Sequence, residues 1–418
     1  MTSEIVIMNR HAIVLAADSA TTVTRTVKGK REERYFKGAN KIFQLSSHHP
    51  VGVMIYNSAD LHGVPWEILI KDFRQHIGDK QFSHLEGYVD EFFEYIASHA
   101  HIFPADVKEQ ILLSKLEDIF WEVFVGSLEN NYDKDDKIST NRKNLTEYLS
   151  LKKNELDSEP TPECFGDEQI AEVIQKYQST LVDKLEADFV NKTFLTKKHV
   201  STICRISFEI LFKRFKNVLS PTGIVFAGYG ENEFYPRYIA RECFGFVLDK
   251  IVETPIDSET VSNDKISHIK PFATSSMINT FMMGFSPDVY GNTSDLIRKT
   301  LKKFAEDMHL EAPNLDELVE GASKTHVRDW VEAAVETHYV PLGNVIGALP
   351  LDEMAELAET LVNLQSLKEK VTKPSESVGG PIDVAVISKA DGFIWIKRKH
   401  YFDGKLNGRF FSRQQKEF

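Results

Sequence analysis

Residues 1–22, MTSEIVIMNRHAIVLAADSATT, and residues 40–60, NKIFQLSSHHPVGVMIYNSAD, decide how the chain is read. Residues 5–8 and 12–17 are apolar, β-prone runs joined by the polar turn Asn9-Arg10-His11, so the N-terminus reads as a hairpin. Residues 41–45 and 51–56 give a second strand pair around the polar turn 46–50. Between the two pairs, residues 25–38 are dense in charge and read as a flexible segment.

At 418 residues the chain exceeds one average domain, so one large domain with insertions or two domains is expected. A hydrophobic share of 42% and 28 phenylalanines supply an ample core. The net charge of −12 argues against a general nucleic-acid binder, which would carry a basic field. Cys164, Cys204 and Cys243 are far apart and lack metal-ligand spacing, which fits a reducing cytosol and no zinc site. No stretch is apolar and long enough to span a bilayer, and the first residues lack the layout of a signal peptide, so a cytoplasmic protein with no cofactor is expected.

Further along, PWEILIKDFRQHI repeats apolar residues three and four apart, with Pro65 placed for a first helical turn. Residues 82–218 read as a helical insertion. Its amphipathic helices are interrupted by the polar stretches NNYDKDDKISTNRKN and KKNELDSEPTPECFGDEQ, which read as exposed loops. Strand signals return in GIVFAGYGENEFYPRYIARECFGFVL, a strand, turn and strand; the GYG in it lacks the rest of a phosphate-binding fingerprint. In KISHIKPFATSSMINTF, Thr274, Ser275 and Ser276 stand where a helix starting near Met277 would be capped. Residues 295–304, 315–336 and 351–370 are helical, and VGGPIDVAVISKADGFIWIKR closes the pattern as a hairpin turning at 389–392.

Thr2, then Ala16-Ala17-Asp18-Ser19, then Lys41 opening KIFQL ahead of the strand VGVMIYNSAD, resemble in order and spacing the β-type subunits of the proteasome and their bacterial relatives, which are N-terminal-nucleophile hydrolases. The interval from Thr2 to Asp18 equals that between the family's threonine and its characteristic aspartate; the loop before the lysine is several residues longer. The strands at 223–285 and the last seventy residues extend the likeness. It implies an α+β chain folded as a four-layer αββα sandwich, residues 1–418 forming a single such domain with helical insertions at 82–218 and 286–345. It also implies a peptide or protein substrate, a homo-oligomer such as a ring, and a partner ATPase, with no nucleic acid or membrane.

Carried over by position, the family's serine in its Gly-Ser-Gly turn falls on Thr274 or Ser275. The aspartate before the glycine pair falls on Ser375 and the serine on Val378, with Glu376 and Ser377 one residue away; the oxyanion-hole glycine falls on Tyr56, whose backbone N–H can still donate. The chemistry has an independent rationale. A threonine hydroxyl needs a base within reach, and a first-residue threonine has its own α-amine, with a pKa near 8. A lysine cation favours the neutral amine, and an aspartate holds the lysine. The requirement is removal of Met1, which ordinary trimming achieves before a small residue. Two other readings stand beside hydrolysis of peptide bonds: an inactive scaffold or oligomerisation protein on the same fold, and a small-molecule amidohydrolase.

Overall fold

Strand β1 (Ser3–Asn9) sends Ile5 and Ile7 to one side and Val6 and Met8 to the other, and all four are fully buried. A strand covered on both faces needs a packed layer above and below it. In the computed structural model, which describes residues 2–27, 30–190, 193–310, 312–372 and 378–414, both layers are present.

After β1 the chain forms β2 (Ala12–Ala17), β3 (Ala20–Val27), β4 (Lys30–Lys37), β5 (Ile42–Gln44), β6 (Val51–Tyr56) and the two-residue strands β7 (Asp60–Leu61) and β8 (Val64–Pro65). Seven helices follow: α1 (Trp66–Ile77), α2 (Leu85–Ser98), α3 (Ala105–Asn131), α4 (Ile138–Asp157), α5 (Asp167–Phe189), α6 (Lys197–Lys213) and the single turn α7 (Phe215–Val218). Next come β9 (Thr222–Gly228), β10 (Arg237–Val247), β11 (Lys250–Thr260) and β12 (Ser267–Ala273), then α8 (Ser276–Met283), α9 (Pro287–Asp307) and α10 (Leu315–Ala334). A π-helical turn at Val335–Tyr339 joins α10 to α11 (Val340–Ala348), and α12 (Leu351–Thr372), β13 (Asp383–Ser388), β14 (Gly392–Lys397) and α13 (Gly408–Gln414) complete the chain.

Two five-stranded antiparallel sheets result, in the orders β12-β1-β2-β13-β14 and β11-β10-β9-β6-β5. Val6, Met8, Leu15 and Ala385 of the first sheet share a core with Met54, Val225, Ala227 and Ala240 of the second. Ile5, Ile7, Val14 and Ala16, on the opposite face of the first, pack on Met354, Ala358 and Leu361 of α12 and Ile278 of α8. Val53, Ile55 and Phe226 of the second pack on Trp66 and Phe73 of α1 and Phe92 of α2. Helices α3 to α6 have a core of their own, built on Leu116, Phe120, Leu181 and Phe208, which reaches the sheets through Phe244, Val247 and Val252.

Three local readings are corrected, and one strand carried no reading. The charged segment 25–38 falls largely within the β3–β4 hairpin, because the run ATTVTRTV at 20–27 is rich in β-branched residues whose strand preference the charges obscured. The polar stretch 130–144 is helical from Ile138, because Leu145, Leu149 and Leu156 bury a stripe that the flanking lysines and asparagines obscure. Strand β11 carried no clear signal: only Ile251 and Val252 are buried at its start, and Pro255 sits where the pairing with β10 shifts register, a place a sheet tolerates proline. Pro65 precedes α1 as its N-cap rather than entering its first turn.

Candidate active site

The β1–β2 hairpin places Asp18 one residue beyond β2, with its amide donating to the Ser3 carbonyl (3.1 Å). Its carboxylate is wholly buried and saturated. Oδ1 accepts from the Ser3 amide (3.1 Å) and from Lys41 Nζ (2.5 Å), and Oδ2 accepts from the Gly379 amide (2.7 Å) and the Ala20 amide (3.3 Å). One side chain thus ties the N-terminal strand, the start of β5 and the segment ahead of β13 together. A buried ion pair is stable only when its remaining lone pairs are satisfied, and three backbone donors satisfy them here.

Thr2 stands next to this hub, since Ser3 is its chain neighbour. Thr2 is 8% exposed, and its Oγ has no hydrogen-bond partner among the described residues. Its carbonyl accepts from the Thr274 amide (2.9 Å), which brings the β12–α8 turn to the same place. Ala273, just before that turn, holds φ at 57°, and Asn57, just after Tyr56, holds φ at 71°. Both are in the left-handed region that costs a non-glycine residue about 1–2 kcal/mol, and such strain gathers at functional sites. Lys41 is fixed independently of its ammonium, its carbonyl accepting from the Ile55 amide (2.9 Å).

The eight residues singled out from sequence fare differently. Thr2, Asp18, Lys41 and Thr274 come together. Ser275 occupies the N-cap position of α8 but makes no capping hydrogen bond; it accepts from Asn279 Nδ2 (3.2 Å) instead, while Ser276 accepts from Lys368 of α12 (2.7 Å). Tyr56 is the last residue of β6, and its ring lies over Gly223, where an added Cβ would meet it at 2.0 Å, and against Phe272. Burial raises its phenol far above the usual range, with Glu4 and Glu242 adding to the effect. Ser375 and Glu376, with Ser377, lie outside the described residues. Val378, at the family's serine position, is buried and apolar.

Glu4 escaped notice. It is fully buried on the inter-sheet face of β1, alternating with Val6 and Met8, and neither carboxyl oxygen has a hydrogen-bond partner among the described residues. Burial holds its carboxyl well above the usual carboxylate range; Lys41 offsets this in part and Asp18 adds to it. The signal was present in sequence as a charge on the core-facing phase of an alternating strand. The raised carboxyl beside the Lys41–Asp18 pair is shifted toward its protonated form, in which it can donate a hydrogen bond, as buried protonated carboxyls do in some enzymes.

Among the described residues no group of three or more histidine, cysteine or acidic side chains is arranged to hold a metal ion, and no helix is long and apolar enough to cross a membrane. Cys204 and Cys243 are buried free thiols, both pushed up to about 12 by burial. No family model and no curated protein matches the chain. Among solved structures it is similar to the Anbu (Gly-1) mutant from Hyphomicrobium sp. strain MC1, at 10% identity over 100% of this chain and 96% of that one, with a TM-score of 0.26; a likeness of that size is distant and says nothing about chemistry.

Proposed function

We propose that the chain is an N-terminal threonine hydrolase of the proteasome-like type, a single αββα sandwich over residues 1–418 with helical insertions at 82–218 and 286–345. The observation that carries this reading is the Asp18 carboxylate, which holds Lys41 Nζ at 2.5 Å and the Ser3 amide at 3.1 Å, fixing an ammonium beside the residue that follows Thr2. Once Met1 is removed, Thr2 Oγ attacks the carbonyl of an amide. Its proton passes to the α-amine of Thr2 and then to the departing amine. Lys41 favours the neutral, proton-accepting amine, and the Asp18 bridge keeps Lys41 in place. In this reading the backbone N–H of Tyr56, at the end of β6, steadies the oxyanion, while the Thr274 amide holds the Thr2 carbonyl in place. Water releases the acyl group from Thr2 and restores the enzyme. Peptide substrates, assembly of several copies, an ATPase that feeds the site and a cytoplasmic setting follow from the same reading.

One observation favours a second reading, the inactive scaffold: Val378 puts an apolar, buried side chain where the family has a supporting serine. Intact-mass analysis and a Thr2→Ala variant separate the two. The hydrolase reading expects protein lacking Met1, and turnover of fluorogenic peptides or small amides that falls by roughly 10³-fold or more in Thr2→Ala, the order expected on losing a nucleophile. Stability should change by no more than about 1 kcal/mol, because among the described residues the Thr2 Oγ has no hydrogen-bond partner and the only apolar group lost is one methyl. Retention of Met1 in the purified protein, or turnover unchanged in the variant, would overturn the assignment.

A further inference from the structure

We infer that the cavity of about 370 Å³ between the edge strands β5 and β14, bounded by α1 and by the segment after β14, binds a small phosphorylated ligand carrying a planar ring, of the nucleotide class. Among the described residues its walls hold Arg74, Arg398, Lys71 and Lys399 against one carboxylate, that of Glu67, in a protein whose net charge is −12. Two of those cations are already engaged: Lys71 with Glu67 at 2.6 Å, and Lys399 with Asp383. Arg74 and Arg398 are not. Among the described residues neither guanidinium has a hydrogen bond or an ion pair with a carboxylate, and the Nε of Arg74 is buried without a partner. Arg398 rests on the Trp395 ring, 4.7 Å from its centre.

Two like charges held near one another in a half-enclosed space are unfavourable until an anion lies between them. Burial together with the Arg398 charge accordingly lowers Arg74 to about 10. The planar guanidinium fork matches phosphate oxygens in pairs, which sets this site apart from a scatter of surface lysines. The volume also exceeds what one phosphate group needs and falls at the low end of small-molecule pockets, roughly 300–1,000 Å³. Trp395 and Phe402 line the remainder and offer ring faces for a base. Asn40 and Pro381 complete the wall; they are the neighbour of Lys41 and the acceptor of the Ser19 hydroxyl, so the pocket backs onto the chain that carries the Lys41–Asp18 pair without sharing its residues. The inference does not depend on hydrolysis at Thr2.

Calorimetric titration of the full chain with AMP, ATP, inorganic phosphate and adenosine, at physiological salt, tests it. The nucleotides should bind and raise the melting temperature, inorganic phosphate should bind at least tenfold more weakly than AMP, and adenosine should give no heat. Arg74→Gln and the exposed-site variant Arg398→Gln should each weaken AMP binding tenfold or more, while the melting temperature of the free protein holds or rises, because a repelled charge has been removed. Absence of nucleotide binding, or unchanged affinity in Arg398→Gln, overturns the site. Phosphate binding as tightly as AMP overturns the ring half of the assignment, and adenosine binding as tightly as AMP overturns the phosphate half.

Discussion

Glu4 carries a buried carboxyl with no hydrogen-bond partner among the described residues, beside the Lys41–Asp18 ion pair, and its protonation is therefore written into stability. The unfolded chain releases this proton at an ordinary value of about 4.3, whereas the folded chain keeps it to higher pH. Over that window folding takes up a proton, so the Glu4 contribution is favourable at low pH and is lost as pH rises. Glu4→Gln, which removes the charge at equal shape, should therefore gain on the parent in urea unfolding as pH is raised from 5 to 8. A gap that stays constant across that range would mean that Glu4 is ionised in the fold. Legibility at this scale was uneven. Thr2, Asp18 and Lys41 could be picked out because their order and spacing are local properties of sixty residues. Glu4 could not be weighed, since an acid at the second residue of an alternating strand is costly only once the opposing sheet is known to cover it.

At the scale of elements, the strands at 3–17, 42–56, 222–247 and 383–397 were readable from alternation and turn residues, whereas their partners were not. Nothing local says that β6 lies beside β9 or that Tyr56 stands opposite Gly223, a pairing in which the missing side chain makes room for the phenol ring. Nor does it say that Gly52 of β6 faces the other sheet. There an added Cβ would come within 2.7 Å of the Phe393 ring and 2.9 Å of Ile387, side chains of β14 and β13. Gly52→Ala should consequently push the two sheets apart and cost about 1–3 kcal/mol in urea unfolding, the usual penalty of overpacking. Gly63→Ala provides a contrast, since that position has open space but a positive φ of 84°, so its cost comes from backbone strain alone. A Gly52→Ala cost below about 0.5 kcal/mol would show that the sheets do not meet at this point.

The whole molecule has two centres of packing, the paired sheets with their helices and the separate core of α3 to α6, joined through a few aromatic and aliphatic side chains. Phe244 of β10 is one of these, its ring 4.9 Å from that of Phe215 in an edge-on contact. Phe244→Ala should remove about 3–5 kcal/mol from the attachment of the helical unit. Hydrogen exchange is the measurement: amides in α3 to α6 should lose protection while those of β1, β2 and β13 keep theirs, and uniform loss across both would mean one cooperative body. The helical nature of this unit was evident from its amphipathic runs. Its separate core was not, because heptad-like spacing tells which residues are buried but not against what.

Sheet order has a consequence for synthesis. β2 lies between β1 and β13, and the carboxylate of Asp18 reaches the Gly379 amide across 361 positions of sequence. Until residues 267–273 of β12 have been made, this sheet consists of the β1–β2 hairpin, a structure too small to persist by itself. The nascent polypeptide must therefore carry two unprotected strand edges until β12 and β13 arrive, which makes chaperone capture of residues 3–17 advantageous. It also means that the Asp18 carboxylate gains its Gly379 donor only once residue 379 has been made and has folded back onto β2.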